Sequence, residues 1–349
     1  MTTSNVLVTS GNGFIAVHIL SLLLQHGHTV TTTVRSESKT AHLQKIFSQA
    51  TNAGRLKFSI VEDITTPGAF DDVVKSNTFD AILHTSSPLV FESQDVEKDV
   101  LLPAIQGTTS ILKTARDHSP ATKRIIITSS FAAVADQSKG VPGYAYSEKD
   151  WSQLTYEQAV KNPRIAYFAS KTLAEKAAWE FVEREKPVFD LVTICPTMVY
   201  GPALQEVTSM KNLNASSAQF YTVFSGQEKE LKHFGVWLWV DVRDVAKAHI
   251  AALEKSEAGG KRFLLSQSTF NIGQVADYIW THYPERAQTR GIPKSTLSAG
   301  YPSEGTYTAD TSASKNILGI EYIQFEDMLR DQLAQFVALE KELEVKVAA

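Results

Sequence analysis

Tyr167 and Lys171 stand four residues apart in a segment with a helical pattern. Side chains at positions i and i+4 of a helix lie on the same face. A free phenol has a pKa near ~10, and a neighbouring ammonium group favours its ionised form. We therefore expect Lys171 to lower the pKa of Tyr167 toward the working range of a proton donor. This spacing is common by chance, so a catalytic role for the pair depends on whether other elements place suitable residues beside it.

Two serines follow a short apolar run that is typical of a strand. Ser129 and Ser130 come directly after the run Arg124-Ile-Ile-Ile-Thr128. Side chains at the carboxyl ends of parallel strands face the ligand crevice. A hydroxyl there can donate a hydrogen bond to a carbonyl oxygen as negative charge develops on it. Ser130 is the predicted third catalytic residue, with Ser129 as the alternative.

The elements that must position these residues alternate along the first 200 residues. Apolar or β-branched runs at 6–9, 29–34, 56–61, 81–84, 124–128 and 191–194 are typical of strands, and helical patterns such as 14–25 and 36–50 lie between them. Strands that alternate with helices indicate βαβ units and a parallel sheet. Near-continuous apolar strands indicate a sheet that is covered on both faces.

The pattern loosens after Gly201-Pro202. We expect helical structure at 214–225, a strand at 236–240, a helix at 242–255 with Asp241 as its N-cap, and an amphipathic terminal helix at 325–345 that serves as a packing or oligomer surface. The predicted organisation has two domains. A nucleotide-binding domain is formed by residues 1–200, which about 236–268 join, and residues 201–349 form a mainly substrate-binding domain.

A glycine-rich turn connects the first strand to the first helix. Such a turn places backbone N–H groups and the positive end of a helix where a pyrophosphate can bind. The usual G-x-x-G-x-x-G spacing would put glycines at 10, 13 and 16, but Ser10 and Ala16 occupy the outer positions. Either the backbone conformation of Ser10 is tolerated or Gly11 forms the turn. The predicted pyrophosphate-binding residues are Ser10, Gly11, Asn12, Gly13, Phe14 and Ile15.

The residues after the second strand favour NADP over NAD. Arg35 and Lys39 can pair with a 2′-phosphate, and no carboxylate occupies the strand end to bind ribose hydroxyls, although Glu37 lies close by. After the third strand, Asp63 and Ile64 are predicted to contact the adenine. A turn-forming role for Asp63 is the alternative.

The composition is that of a globular protein. The 349 residues are 43% hydrophobic and 21% charged, with a formal net charge of −4, which suits one large or two medium domains. No block of like charge predicts nucleic-acid or membrane binding. A single cysteine, Cys195, suits a reducing compartment, and the apolar run at 14–24 is too short to span a bilayer. We expect a cytoplasmic monomer or homodimer.

Two other kinds of site find no support in the sequence. The nine histidines lack a His-x-x-x-His or acid-paired spacing, so no metal site is predicted. A Gly-x-Ser-x-Gly motif is absent, which argues against a serine hydrolase.

Together these motifs resemble the extended short-chain dehydrogenase/reductase family. They are Ser10-Gly-Asn-Gly-Phe-Ile, Thr128-Ser-Ser130, Tyr167-x-x-x-Lys171 and Pro196-x-x-x-x-Gly201-Pro202. The chain is most similar to dihydroflavonol-reductase-type members, in particular yeast-type methylglyoxal/isovaleraldehyde reductases. Asp99–Gly107, Glu175–Phe181 and Asp241–His249 support this resemblance, which spans about residues 5–335.

The resemblance implies a Rossmann-type α/β fold, a doubly wound parallel sheet with a smaller C-terminal part, and NADPH as hydride donor for an aldehyde or ketone. It implies a catalytic triad of Ser130, Tyr167 and Lys171, with Tyr167 and Lys171 also touching the cofactor. Further cofactor contacts would be Pro196, Val199 and Ser216. The substrate pocket would draw on Ser87, Leu89, Phe91, Phe131, Ala135, Met198 and Tyr221.

Four positions depart from these relatives, and they put the substrate preference in doubt. Ser10 and Ser86 replace the usual glycine and alanine, while Phe131 and Met198 replace a tyrosine and an aromatic residue. The pocket becomes less polar and softer as a result, which favours hydrophobic or aryl carbonyls.

Two other functions remain as alternatives. A sugar-nucleotide epimerase or dehydratase shares the fold and triad, but it must retain NAD. The presence of Arg35 and Lys39 at the end of the second strand disfavours NAD. A non-enzymatic dinucleotide-sensing regulator would typically have lost the tyrosine and lysine.

Overall fold

The computed structural model describes residues 3–87, 95–232, 235–295 and 304–348. The strands are β1 (Asn5–Val8), β2 (Thr29–Val34), β3 (Leu56–Ile60), β4 (Ala81–His84), β5 (Arg124–Thr128), β6 (Ala145–Tyr146), β7 (Asp190–Pro196), β8 (Met198–Tyr200), β9 (Leu238–Asp241), β10 (Arg262–Leu265), β11 (Ser268–Thr269) and β12 (Thr308–Ala309). The helices are α1 (Phe14–Gln25), α2 (Ala41–Ile46), α3 (Ser48–Asn52), α4 (Asp71–Lys75), α5 (Leu102–His118), α6 (Tyr156–Lys161), α7 (Ala166–Glu185), α8 (Ala215–Phe224), α9 (Val242–Glu254), α10 (Ile272–His282), α11 (Pro284–Arg290) and α12 (Phe325–Ala348).

A seven-stranded parallel sheet forms the centre of the molecule, in the order β10-β7-β5-β4-β1-β2-β3. All six predicted strands belong to it, which confirms the α/β, Rossmann-type prediction. The added strand is β10, which pairs with β7 through Phe263 and Ile194. The chain therefore returns to the sheet after 236, and the Cα register fixes the carboxyl ends of β1, β4 and β5 side by side.

Helices cover both faces of this sheet because side chains alternate along each strand. Val6 and Val8 point into a core shared with α1 and α9, whereas Leu7 points into a core shared with α5 and α7. Most strand residues are buried on both sides, whereas the edge strand β3 exposes Lys57 and Ile60. The site-bearing helix α7 is thus fixed by packing on α5 and on the sheet.

A second core lies under the C-terminal helices. Phe220, Trp239 and Phe336 belong to it, and it joins α8, α10 and α12 to β9. The predicted strand at 236–240 is therefore shifted to Leu238–Asp241 and pairs with β8 and β11 in a separate three-stranded sheet. The remaining pair, β6 and β12, is parallel. The terminal helix buries one face, as predicted for a packing surface.

Two helix predictions have different outcomes. The helix at 242–255 is confirmed as α9, and the Asp241 carboxylate caps it by accepting the N–H of Arg243 at 2.8 Å. The single helix predicted for 36–50 is wrong. It is divided into a 3-10 turn at Glu37–Lys39, then α2 and α3, because Phe47 leaves the helical conformation and packs on the main core.

Across the described ranges, no helix has both the length and the apolar composition needed to cross a membrane.

Candidate active site

The residues predicted to do acid chemistry meet at the amino end of α7. Lys171 Nζ lies 5.6 Å from the centroid of the Tyr167 ring, and the Tyr167 hydroxyl forms a hydrogen bond with Ser130. Ser130 follows β5 and begins a short 3-10 helix, where its Oγ accepts the N–H of Ala132 at 3.1 Å. The carboxyl end of one strand and the first turn of one helix therefore bring all three side chains together.

The pKa of Tyr167 departs from the sequence prediction. Burial of the phenol raises the pKa, and the hydrogen bond from Ser130 opposes this rise only in part. The expected lowering of this pKa by Lys171 is wrong for the protein without cofactor, because desolvation of the phenol raises its pKa and the Lys171 ammonium group is directed to Ser87. Tyr167 therefore carries its proton at neutral pH.

The Lys171 ammonium donates to the hydroxyl of Ser87, just beyond β4. Burial lowers the pKa of Lys171 to about 8. The neighbouring His84 is neutral, since burial and, second, the charge of Lys171 lower its pKa to about 3. The predicted substrate residue Ser87 is thus a direct partner of the predicted catalytic lysine.

Ser129 serves a different network from Ser130. Its hydroxyl donates to Glu175 Oε2 at 2.6 Å, and Glu175 pairs with Arg262 at 2.7 Å while accepting from Thr193 at 2.7 Å. Arg262 also lies over the Trp151 ring, with its guanidinium carbon 3.5 Å from the centroid. This geometry favours Ser130 over Ser129 as the residue that faces Tyr167.

Glu175 and Arg262 were missed in the sequence. A signal was present, because Glu175 is a charged residue one turn beyond Lys171, on the same face of the predicted helix. Its partner Arg262 is on β10, 87 residues away, and the sequence offers no local sign of that pairing.

The glycine-rich turn uses Ser10 as its left-handed residue, with φ of 52°. Gly11 is needed for a different reason: a Cβ there would lie 1.9 Å from Thr32 Oγ1. Gly13 precedes α1 with φ of −78°, a value that any residue adopts. The first possibility raised by the sequence therefore holds, since Ser10 adopts the left-handed conformation, whereas Gly11 is needed only where the turn touches β2.

An open cleft of about 330 Å³ lies over this turn. It joins the amino end of α1 to the two exposed cations after β2 and to Ser87 after β4. The amino end of a twelve-residue helix and a turn without side chains at Gly11 and Gly13 suit a pyrophosphate. Arg35 and Lys39 suit a further phosphate. The cleft is lined by Ser10, Asn12, Gly13, Phe14, Ile15, Ala16, Arg35, Lys39, Thr85, Ser87 and Thr128.

Asp63 and Ile64 lie after β3. Asp63 Oδ1 accepts both the N–H and the hydroxyl of Thr65, at 2.8 and 2.7 Å, and these two bonds lower the pKa of Asp63. That geometry favours the turn-forming alternative for this carboxylate. Ile64 is held against α5, where a Cβ on Gly107 would come within 2.9 Å of it. An adenine contact for either residue stays a prediction.

The predicted cofactor residues beyond β7 form a small cluster of their own. Pro196 ends β7 and is buried, and Val199 lies in β8. The Ser216 hydroxyl donates to the Val199 carbonyl at 2.5 Å, so α8 is anchored to β8 at this point. Contact of Val199 and Ser216 with the cofactor stays a prediction.

The predicted substrate residues are more dispersed. Phe131 is only 4% exposed and stacks on Tyr307, which leaves little of its ring to line a pocket, and Ala135 packs against the same cluster. Met198 packs against the second core, and Tyr221 donates to Glu340 on α12 at 3.0 Å. Leu89 and Phe91 lie outside the described residues.

A separate cluster contains potential metal ligands that the spacing of the histidines did not reveal. Glu254 Oε1 lies 2.9 Å from His26 Nδ1 and 3.6 Å from His28 Nε2. However, His28 Nδ1 accepts the N–H of Ser4 at 3.0 Å. The neutral ring must then carry its proton on Nε2, so that atom has no lone pair for a metal ion.

Comparison with known proteins extends these observations. The model of the NAD dependent epimerase/dehydratase family matches residues 6–273. A putative NADPH-dependent methylglyoxal reductase of Candida albicans, GRP2, is 35% identical, over 96% of this chain and 99% of its own. The ketoreductase azaE of Aspergillus niger is 37% identical, over 95% and 97%.

Solved structures agree with the sequence comparison. The crystal structure of the yeast methylglyoxal/isovaleraldehyde reductase Gre2 complexed with NADPH superposes with a TM-score of 0.86 at 32% identity, covering 97% of this chain and 99% of that one. The same family is indicated by the order of motifs, by the parallel sheet and by these full-length matches. The chain belongs to the NAD dependent epimerase/dehydratase family, within the short-chain dehydrogenases/reductases.

Proposed function

We propose that the protein is an NADPH-dependent carbonyl reductase, which converts aldehydes or ketones into alcohols. The observation that carries this proposal is the convergence of Tyr167, Ser130 and Lys171, with Lys171 bonded to Ser87, which lines the dinucleotide cleft. The relatives whose names describe NADPH-dependent methylglyoxal reduction and ketoreduction support the same reaction and cofactor.

Each side chain has a separate task in this reaction. NADPH, when bound, would supply the hydride to the carbonyl carbon. The Tyr167 hydroxyl, which is protonated at neutral pH, donates its proton to the carbonyl oxygen. Ser130 hydrogen-bonds the same oxygen as it gains negative charge. Lys171 stabilises the phenolate that remains, and Ser87 holds its ammonium group in place.

The cofactor is held by backbone and by charge. The turn from Ser10 to Gly13 and the amino end of α1 accommodate the pyrophosphate, and Arg35 and Lys39 bind the 2′-phosphate. Asp63, Ile64, Pro196, Val199 and Ser216 complete the proposed cofactor contacts. The proposed substrate contacts remain Ser87, Phe131, Ala135, Met198 and Tyr221, with Leu89 and Phe91.

Replacement of Tyr167 by phenylalanine tests this mechanism. Tyr167→Phe is expected to bind NADPH as before but to lose carbonyl reduction by at least ~10²-fold, because the proton donor is gone. The measurement is the loss of reduced-cofactor absorbance with a panel of aldehydes, ketones and diketones. Tyr278→Phe, in α10, is the matched control and should leave the rate unchanged. Near-normal turnover in Tyr167→Phe would remove the tyrosine from its role.

The same panel separates the alternative functions. An epimerase or dehydratase would leave added NADPH unconsumed and would act on a sugar nucleotide. A sensing regulator would bind NADPH and reduce nothing. Arg35 and Lys39, together with the paired Tyr167 and Lys171, support the reductase over both.

The cellular setting is a further part of the proposal. A single buried cysteine suits a reducing compartment, which supports a cytoplasmic location. We infer a monomer or homodimer, and light scattering of the purified protein distinguishes the two.

A further inference from the structure

Two serine hydroxyls contact each other beside the cleft, and the mechanism above gives no role to this contact. Ser10 Oγ and Ser86 Oγ are 2.6 Å apart, although the residues are 76 positions apart in the chain. Ser86 is buried, and Ser10 lines the cleft. A contact this short between neutral hydroxyls is a full hydrogen bond.

Ser10 needs this contact because of its backbone. Its φ of 52° is in the left-handed region, which is unfavourable for a residue with a Cβ. Glycine would adopt the conformation freely. Serine is therefore an unfavourable residue for the turn itself, and its hydroxyl must provide a hydrogen bond that glycine cannot form.

Further hydrogen bonds join the same two segments. Thr9 Oγ1 accepts the N–H groups of Thr85 and Ser86, at 3.0 and 3.1 Å. The Thr85 hydroxyl donates to the Thr9 carbonyl. On the other side of the turn, the Ser10 N–H donates to Thr33 Oγ1 at 3.0 Å. The turn is thus held between the ends of β2 and β4 by polar side chains.

The segment that receives Ser10 also reaches the catalytic lysine. Ser87, next to Ser86, accepts the Lys171 ammonium group. A path of hydrogen-bonded and neighbouring residues therefore runs from the pyrophosphate turn through residues 85–87 to the lysine that faces Tyr167.

We propose that Ser10 and Ser86 act as one positioning pair, whose mutual hydrogen bond holds the dinucleotide-binding turn in the conformation that NADPH requires. The pair sets the affinity for the cofactor, not the rate of the chemical step. This inference rests on the proposed function only for the identity of the dinucleotide.

A double-mutant cycle tests the pair. The variants are Ser10→Ala, Ser86→Ala and the combination, and NADPH binding is measured by calorimetry on the full chain. Each single change is expected to weaken binding about fivefold, and the double variant should bind no worse than the weaker single one, since both remove the same bond. The rise in KM for NADPH should be larger than any fall in kcat measured at saturating NADPH.

Two further variants complete the design. Ser10→Gly removes the hydroxyl and the strain together, so it should unfold at a higher temperature than Ser10→Ala yet bind NADPH as weakly. If Ser10→Ala does not fold, the cycle with Ser10→Gly measures the same coupling. Ser119→Ala is the matched control, because it breaks a buried hydroxyl pair with Thr122, at 2.9 Å, away from the cleft. It should leave NADPH binding unchanged.

The outcomes separate this inference from the proposed function. Additive losses in the double variant, or NADPH binding by Ser10→Gly as tight as in the wild type, would overturn the positioning pair. If the variants show the expected coupling in NADPH binding but the wild type reduces no carbonyl, only the reductase proposal is overturned. If the wild type is an active reductase but the variants show no coupling, only the positioning pair is overturned.

Discussion

At the scale of single residues, Lys171 combines two opposing requirements. In the proposed mechanism it must be charged to stabilise the phenolate of Tyr167, yet its surroundings lower its pKa to about 8 because they desolvate the ammonium group. Ser87 is the hydrogen-bond acceptor that keeps the group oriented. Burial of the Lys171 ammonium group, which the proposed reaction uses, therefore lowers the stability of the folded state.

That cost predicts how stability depends on pH. Lowering the pKa from 10.5 to about 8 corresponds to at most about 3 kcal/mol of destabilisation, in full below pH 8. Between pH 8 and 10.5 the folded state loses the proton before the unfolded state does, so the wild type gains stability as pH rises. Lys171→Met should therefore be more stable than the wild type below pH 8, with a difference that shrinks toward pH 10.5.

Thermal unfolding of the cofactor-free proteins between pH 6 and 10 measures this effect. Lys57→Met, at an exposed position of β3, is the control and should leave the pH dependence unchanged. A Lys171→Met protein that is less stable than the wild type at pH 7 would contradict the argument.

At the scale of elements, one buried ion pair joins α7 to the sheet. Glu175 and Arg262 are 1% and 9% exposed as side chains, and Glu175 also receives hydrogen bonds from Ser129 on the β5 end and Thr193 on β7. The helix that carries Tyr167 and Lys171 is thus tied to the strands directly beneath it. The pair keeps Ser129 turned away from the site and leaves Ser130 to face Tyr167.

Loss of one partner leaves the other charge buried and unpaired. Glu175→Ala is expected to lower the free energy of unfolding by about 3–5 kcal/mol, because the desolvated Arg262 then has no counter-charge. Denaturant titration measures the change. Asp327→Ala breaks an exposed ion pair with Arg330 and should cost no more than about 1 kcal/mol. Equal losses in the two variants would mean that the buried pair contributes no more than a surface one.

At the scale of the whole molecule, the cofactor is a stabilising ligand for the sheet. Its proposed contacts come from the ends of β1, β2 and β4, so binding joins segments that are separated by tens of residues. A ligand that binds only the folded state stabilises it by about 4 kcal/mol at a thousand times its dissociation constant. The size of this effect depends on Arg35 and Lys39, the proposed phosphate clamp.

Arg35→Ala tests the clamp through stability and through kinetics. NADPH should raise the unfolding temperature of the wild type more than NADH does, and Arg35→Ala should narrow that gap and shift kcat/KM toward NADH, since a charge that pairs with the 2′-phosphate is lost. Lys39→Ala should act in the same direction. An NADPH/NADH ratio that stays the same in Arg35→Ala would mean that the clamp is misplaced.

The local patterns of the chain were enough to predict the parallel sheet, the glycine-rich turn between β1 and α1, and the placement of Lys171 beside Tyr167. These features depend on periodicity and on residue type at element ends, which neighbours in the sequence encode. Arg35 and Lys39, after β2, line the cleft as well, and their binding of a 2′-phosphate stays a prediction.

Only the tertiary structure decided which serine faces Tyr167, that Asp63 closes a turn, that burial raises the pKa of Tyr167, and that Ser10 contacts Ser86. Each of these depends on desolvation or on the exact placement of backbone and polar groups. Such effects arise from packing between distant segments, and no pattern within a single strand or helix records them.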